Sequence, residues 1–201
     1  MVTLTIDGVE VRVQDGTTIL EAARNVPGVG KIPTLCHNDS PALTGLIPAK
    51  SCRVCVIEQV RGDGRLSYPL ACITDVKGGM VVNTNSEGVR ERRKEAVRDH
   101  LVRCSKVPVI LDLAEEVGVA IPEGELGEEE CILCGMCERA CKDPRGLGIA
   151  AISLIRQNGT SYYEVDEEEC YGCGDCMVAC TLGAIELGEK AILPKPKAIS
   201  K

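Results

Sequence analysis

Along the chain, apolar positions change rhythm twice. Val2 to Ile6 and Val9 to Val13 are runs rich in β-branched residues, parted by Asp7-Gly8, a hairpin signal. Thr18-Ile-Leu-Glu21 has the spacing of a capping box and predicts a short helix on Ile19, Leu20, Ala22 and Ala23. Val54 to Val60 and Met80 to Val82 are further predicted strands. Strand, strand, helix, loop, strand is the order of a β-grasp module, expected over residues 1–85. The rhythm then becomes helical. From Glu87 to Cys104, Val89, Ala96, Val97, Leu101 and Cys104 recur among charged residues. Pro108 interrupts, and Val109 to Val117 predicts a second helix, so residues 86–124 read as a helical connector. Ile121 to Glu130 reads as an acidic linker.

The last rhythm is a repeat within residues 125–190. Cys131-Ile-Leu-Cys-Gly-Met-Cys-Glu-Arg-Ala-Cys141 and Cys170-Tyr-Gly-Cys-Gly-Asp-Cys-Met-Val-Ala-Cys180 share every cysteine and the glycine at Gly135 and Gly174. Each is followed by a glycine and an Ala-Ile pair, Gly148 with Ala151-Ile152 and Gly183 with Ala184-Ile185. Between the repeats, Ile152 to Ile155 and Tyr162 to Val165 flank Asn158-Gly159, a second hairpin signal. Residues 191–201 read as an extended tail. The expected fold class is α+β: an N-terminal β-grasp domain, a helical connector, and a C-terminal domain built on the cysteine repeat.

Composition sharpens this picture. Of 201 residues 44 % are hydrophobic, yet Phe and Trp are absent and Tyr occurs four times, so any core is aliphatic and small. Bound clusters can supply part of the folding free energy that such a core lacks. The net charge of −7 argues against a nucleic-acid partner, which would want a basic face. No run approaches the ~20 apolar residues of a membrane span. Met1-Val-Thr-Leu-Thr-Ile6 also lacks the features of a signal peptide, so a cytoplasmic location is expected. Thirteen cysteines in a reducing compartment point to metal rather than to disulfides, and the odd count does not favour complete internal pairing.

The spacing C-x2-C-x2-C-x3-C, present twice, is the most specific signal. Three cysteines at this spacing can wrap one 4Fe–4S cluster, while the fourth faces away and ligates the other cluster. The expected sets are Cys131, Cys134 and Cys137 with Cys180, and Cys170, Cys173 and Cys176 with Cys141. Gly135 and Gly174 permit a tight backbone there. Zinc usually takes separated C-x2-C pairs, and a continuous run would leave a third cysteine awkward. The proline common after the fourth cysteine is replaced by Lys142 and Thr181, but it is not a ligand. Towards the N-terminus, Cys36, Cys52, Cys55 and Cys72 place a close pair between two distant cysteines. That order suits a 2Fe–2S cluster, although the flanking gaps of fifteen and sixteen residues are not those of plant ferredoxins. On spacing alone, zinc or free thiols stay open for this set. A Rieske centre would need two His in it, and His37 beside Cys36 reads as a loop residue or hydrogen-bond donor.

Ile32-Pro-Thr-Leu-Cys-His37, Ser51-Cys-Arg-Val-Cys-Val-Ile-Glu58, Ala71-Cys72 and Val82-Asn-Thr-Asn-Ser86 resemble the N-terminal region of the large iron–sulfur subunit of respiratory complex I. They equally resemble the matching regions of iron-only hydrogenases, of the diaphorase part of NAD-linked nickel–iron hydrogenases and of some formate dehydrogenases. The resemblance covers residues 1 to about 188 and implies that Cys36, Cys52, Cys55 and Cys72 hold a 2Fe–2S cluster. Many relatives carry one more 4Fe–4S cluster on His-x3-Cys-x2-Cys-x5-Cys. This chain has His100 and Cys104, but Val107 and Leu113 stand at the next two positions and residues 105–130 contain no cysteine. That cluster is expected to be absent.

Other patterns are weak. Gly28-Val-Gly-Lys31 hints at a phosphate loop, but Asn25 stands where its first glycine belongs and Ile32 replaces Ser or Thr. No dinucleotide fingerprint and no catalytic constellation is visible, so no catalytic site is expected. Iron-only hydrogen catalysis within these 201 residues is not expected either, given the chain's length and the missing downstream cysteines. The expected function is an electron-transfer subunit with one 2Fe–2S and two 4Fe–4S clusters. Its expected partners, supplied by the resemblance, are a flavin- and NAD(P)-binding subunit and a second redox subunit of a hydrogenase, formate dehydrogenase or transhydrogenase complex. The alternatives are a freestanding ferredoxin-like carrier, or a cluster-based regulator or zinc interaction protein.

Overall fold

The computed structural model describes residues 1–24, 26–41, 46, 50–124, 126–143 and 145–194. Strands β1 (Val2–Ile6) and β2 (Val9–Val13) pair in register from Val2 against Val13 to Ile6 against Val9. They join β3 (Glu58–Val60), β4 (Leu66–Ser67) and β5 (Val81–Asn83) in a five-stranded sheet of order β2-β1-β5-β3-β4. β5 runs parallel to β1 and antiparallel to β3, the mixed order of a β-grasp. Helix α1 (Ile19–Ala23) closes one face. Its capping box is formed, with Thr18 Oγ1 accepting from the Glu21 N–H and the Glu21 carboxylate accepting from the Thr18 N–H. Leu4, Ile6, Ile19, Leu20, Ile57 and Val82 pack between them.

The strand expected over Val54 to Val60 forms only over its last three residues. Arg53 takes a left-handed conformation (φ 59°), so the chain turns there and cannot enter a pleated strand. Val56 makes a single bridge to Leu70.

Ser86 caps α2 (Glu87–Arg103), and Cys104 ends it. Pro108 does not simply interrupt. It is the first residue of α3 (Pro108–Val117), where the missing N–H costs nothing. The two helices share an aliphatic core of Ala96, Val97, Leu101, Cys104, Val107, Ile110, Leu113 and Ala114. The later part of the acidic stretch, residues 127–129, is docked against this core's edge. Gly127 N–H donates to Val102 O (2.8 Å), Ser105 N–H donates to Gly127 O (3.1 Å), and Glu128 bridges to Cys104.

The repeats form α4 (Met136–Lys142) and α5 (Asp175–Ala179), which pack on each other. Between them lies the hairpin of β6 (Ile152–Gln157) and β7 (Thr160–Val165), turning at Asn158-Gly159. A last hairpin, β8 (Glu186–Leu187) and β9 (Ala191–Ile192), corrects the reading of a tail from residue 191. Ala191 is buried and Leu193 packs against the same core, which holds this segment down. Residues 195–201 and Asn25, on which the tail and phosphate-loop readings partly rest, lie outside the described residues. No helix among the described residues is long and apolar enough to cross a membrane.

Candidate metal centres

The loop over residues 26–36 carries Cys36 inward, the turn at Arg53 carries Cys52 and Cys55, and a 3-10 turn over Ala71–Ile73 carries Cys72. All four are buried. Cys36 and Cys52 lie in the core beneath α2 and α3, whereas Cys55 and Cys72 lie in the core of the sheet. The set therefore occupies the seam between two cores. Sγ of Cys55 and Sγ of Cys72 are 3.3 Å apart, and the Ala71 N–H donates to Cys55 O (3.0 Å). A hydrogen bond from Cys52 lowers the Cys36 thiol, and the same bond, with burial, pushes Cys52 up. The Cys72 hydrogen bond likewise lowers Cys55 and raises Cys72.

Helix α2 backs this set. Arg93 donates to Val54 O (3.2 Å), Val56 O (3.1 Å) and Thr84 O (3.2 Å). His100 Nε2 lies 3.0 Å from Cys52 O. Arg53 and Asp99 pair on the outer side. Neither the Arg93 clamp nor the His100 contact is legible from spacing. The available signal was a cation at position 93 on the stripe of Val89, Ala96 and Val97.

The repeats build two further cavities. Cys131, Cys134, Cys137 and Cys180 line one, with Tyr163 and Ile185. Cys141, Cys170, Cys173 and Cys176 line the other, with Ile149 and Ile152. Each run turns into its helix through a glycine at positive φ, Gly135 (82°) and Gly174 (83°), where a side chain would be strained. N–H groups already point at sulfur. Leu133 donates to Cys131 Sγ and Ala184 to Cys180 Sγ, both at 3.3 Å. Burial pushes the Cys134 thiol up to about 12 and Cys176 up to about 11, and raises Cys131 and Cys137 as well. Four thiolates in such a cavity would repel one another, so the donor set fits a cationic core that draws the protons off. Among the described residues, no three His, Cys, Asp or Glu side chains crowd closely enough to hold a single metal ion.

The N-terminal set and the first cavity adjoin. Cys134 packs against the core that contains Cys36 and Cys52. Ser51 Oγ donates to Cys134 O (3.4 Å), Asn38 Nδ2 donates to Val178 O (2.6 Å), and Thr181 Oγ1 donates to Leu35 O. Arg103 Nε donates to Cys131 O (2.8 Å) from the end of α2. His37 pairs with Asp39 at 2.8 Å. The Gly30 N–H is taken by Asp7 (2.9 Å) and Lys31 pairs with Glu116 (3.0 Å), so that loop is bound internally. Cys104 is buried, and burial pushes its thiol up to about 11. Val107 and Leu113 pack beside it as core residues.

Comparison with known proteins bears on both ends. Residues 1–87 match the 2Fe–2S iron–sulfur cluster binding domain, and residues 130–184 match the 4Fe–4S dicluster domain. The chain is 33 % identical over 174 residues to an NADP-reducing hydrogenase subunit, HndD, of Solidesulfovibrio fructosivorans, covering 74 % of this chain and 29 % of that protein. It is 27 % identical over 188 residues to iron hydrogenase 1 of Clostridium pasteurianum, covering 79 % and 30 %. A putative formate dehydrogenase of Staphylococcus haemolyticus is 27 % identical over 70 % of this chain and 16 % of its own length. The chain thus spans less than a third of these relatives. Among solved structures, a chain of an NAD+-reducing nickel–iron hydrogenase in the H2-reduced state superposes with a TM-score of 0.59 at 23 % identity, covering 82 % of this chain and 75 % of that one, a likeness of fold.

Proposed function

We propose that this chain, in which a match to a 2Fe–2S cluster binding domain precedes a match to a 4Fe–4S dicluster domain, is a hydrogenase-type iron–sulfur protein that conducts electrons through three clusters between two partner subunits. Cys36, Cys52, Cys55 and Cys72 hold the 2Fe–2S cluster. Cys131, Cys134, Cys137 and Cys180 hold one 4Fe–4S cluster, and Cys141, Cys170, Cys173 and Cys176 the other. When bound, such clusters take up and release single electrons. The protein's part is to space the thiols, exclude water and aim N–H groups at sulfur.

The observation that carries this reading is contiguity. The N-terminal set touches the first cavity through Cys134, and α4 packs on α5, which leads to the second cavity. Two ends of the line lie on different modules. At the far end Cys173 is exposed, beside Tyr171 at 76 % exposure and within the same segment as Met177. This end suits contact with the second redox subunit, and the 2Fe–2S end suits a flavin- and NAD(P)-binding subunit. The hydrogenase and formate dehydrogenase names of the relatives supply the kind of host. Cys104, walled in by Val107 and Leu113, holds no additional cluster.

The test is iron analysis with EPR of the dithionite-reduced chain. It should give about ten irons per chain and signals of both cluster types. Stoichiometric zinc, or about fourteen irons, would sink the count. The isolated chain should not oxidise NADH or NADPH with an artificial acceptor, and adding the flavin subunit should restore cluster reduction by nucleotide. Purification in a stoichiometric complex separates this reading from a freestanding carrier, which would emerge alone.

A further inference from the structure

Arg93 lies midway along α2 and points into the molecule, with only 7 % of its surface exposed. No other lysine or arginine among the described residues is buried to this degree. Its guanidinium gives three hydrogen bonds, all to main-chain carbonyls, and no carboxylate among the described residues lies within ion-pair distance of it. Carbonyls offer dipoles but no charge, so the cation is solvated by the fold and left without a counterion. Two of the three carbonyls, Val54 O and Val56 O, belong to the residues on either side of Cys55. Desolvation pulls the Arg93 pKa down, and the charges that oppose this are Cys55 first and Glu116 second. A buried cation with no partner is unfavourable. An uncharged amide would still offer two N–H donors to these carbonyls without placing a charge here. What the position gains from a guanidinium is its charge.

We propose that Arg93 is the internal countercharge of the site built by Cys36, Cys52, Cys55 and Cys72, and that it raises that site's reduction potential. The inference rests on the reading that these four cysteines hold a 2Fe–2S cluster. Four thiolates and two sulfides outweigh two ferric ions, so the loaded site is anionic before any electron arrives. Reduction adds one electron, supplied by a low-potential donor such as dithionite. It makes and breaks no bond, and the negative charge grows by one. A fixed positive charge behind Cys55, in a region with little water, favours the more negative form. Arg93 acts through position and charge and touches no sulfur.

The experiment uses the full-length, cluster-loaded protein and redox titration monitored by EPR, with Arg93→Gln and Arg93→Lys. Gln keeps an amide donor and removes the charge, whereas Lys keeps the charge and loses the fork. In Arg93→Gln the 2Fe–2S midpoint should shift to more negative potential while the 4Fe–4S signals stay where they are. In Arg93→Lys the 2Fe–2S midpoint should stay near the wild-type value. A loaded Arg93→Gln protein with an unmoved midpoint overturns the proposal, as does Lys behaving like Gln. If Arg93→Gln loses the 2Fe–2S signal, Arg93→Lys decides. Retention at the wild-type midpoint upholds the countercharge, and loss there as well shows that Arg93 is only a pin for three carbonyls. Absence of a 2Fe–2S signal from the wild-type chain would instead strike the ligand assignment, a failure visible before any variant is made.

Discussion

Cys104 is chemically a cysteine and physically a core residue. It sits fully buried at the end of α2 among Leu101, Val107, Ile110 and Leu113, and His100 one turn earlier is engaged with Cys52 O. Cys104→Ala should therefore keep the full iron content and cost on the order of 1 kcal/mol in stability. Loss of about four irons in that variant would reveal a third cubane. Glu58 carries a different lesson. Asn83 Nδ2 donates to its carboxylate at 2.8 Å, with Ser86 Oγ and Tyr68 OH beside it, and these bonds pull its pKa below the usual carboxylate range. A carboxyl group with a lowered folded pKa stabilises the fold above its unfolded pKa, and that contribution is lost as pH falls through the folded value. The gap in melting temperature between wild type and Glu58→Gln should then be widest near neutrality and narrow below about pH 4. A gap that stays constant with pH would show that shape, not charge, matters at this position.

Elements differ in how openly the sequence announces them. β1, β2 and their turn, the capping box of α1 and the Asn158-Gly159 hairpin follow from signals within a few residues of each other. Val54 to Ile57 looks like a strand because it is apolar and branched, but the carbonyls of Val54 and Val56 are claimed by Arg93, 39 residues away from Val54. Nothing local encodes that contact, and the same holds for His100 on Cys52. β9 was hidden because two residues are too short for any periodicity; pairing with β8 and the burial of Ala191 fix it. Helix α2 also shows a fit that propensity would misjudge. Gly88 sits where a Cβ would come within 2.2 Å of Tyr68 Oη. Tyr68 is held by Glu58 and lies under Arg92, whose guanidinium is 3.5 Å from the ring centre. Alanine normally strengthens a helix by about 1 kcal/mol over glycine. Gly88→Ala should instead lower stability by roughly 1–3 kcal/mol, because the ring cannot swing aside freely. Thermal unfolding followed by circular dichroism reads the sign directly.

At the scale of the whole molecule, the x2 gaps within each repeat mark the three thiols that line one cavity, whereas the fourth comes from the other repeat. The spacing conveyed nothing of how the modules meet. Asn38 reaches Val178 across 140 residues, and Thr181 reaches Leu35 across 146. Those contacts set the N-terminal thiols beside Cys134, and no pattern within either segment points to them. The acidic stretch before Cys131 is similar. Its composition reads as a linker, yet its backbone is tied to the end of α2 through Gly127 and Glu128.

The exchange of fourth cysteines between the repeats has a consequence in time. A ribosome delivers the chain from its N-terminus at about 5–20 residues per second. The four N-terminal thiols are all present once Cys72 has emerged, and their helical backing once α3 has followed. The cavity that contains Cys141 is complete only with Cys176, and the one opened by Cys131 waits for Cys180. On the proposed ligand assignment, iron loading on the nascent protein would follow a built-in sequence, with both cubane sites closing last and almost together. Ribosome-bound chains arrested just after α3 should already show the 2Fe–2S signal, whereas chains arrested just after β7 should hold no more iron than those.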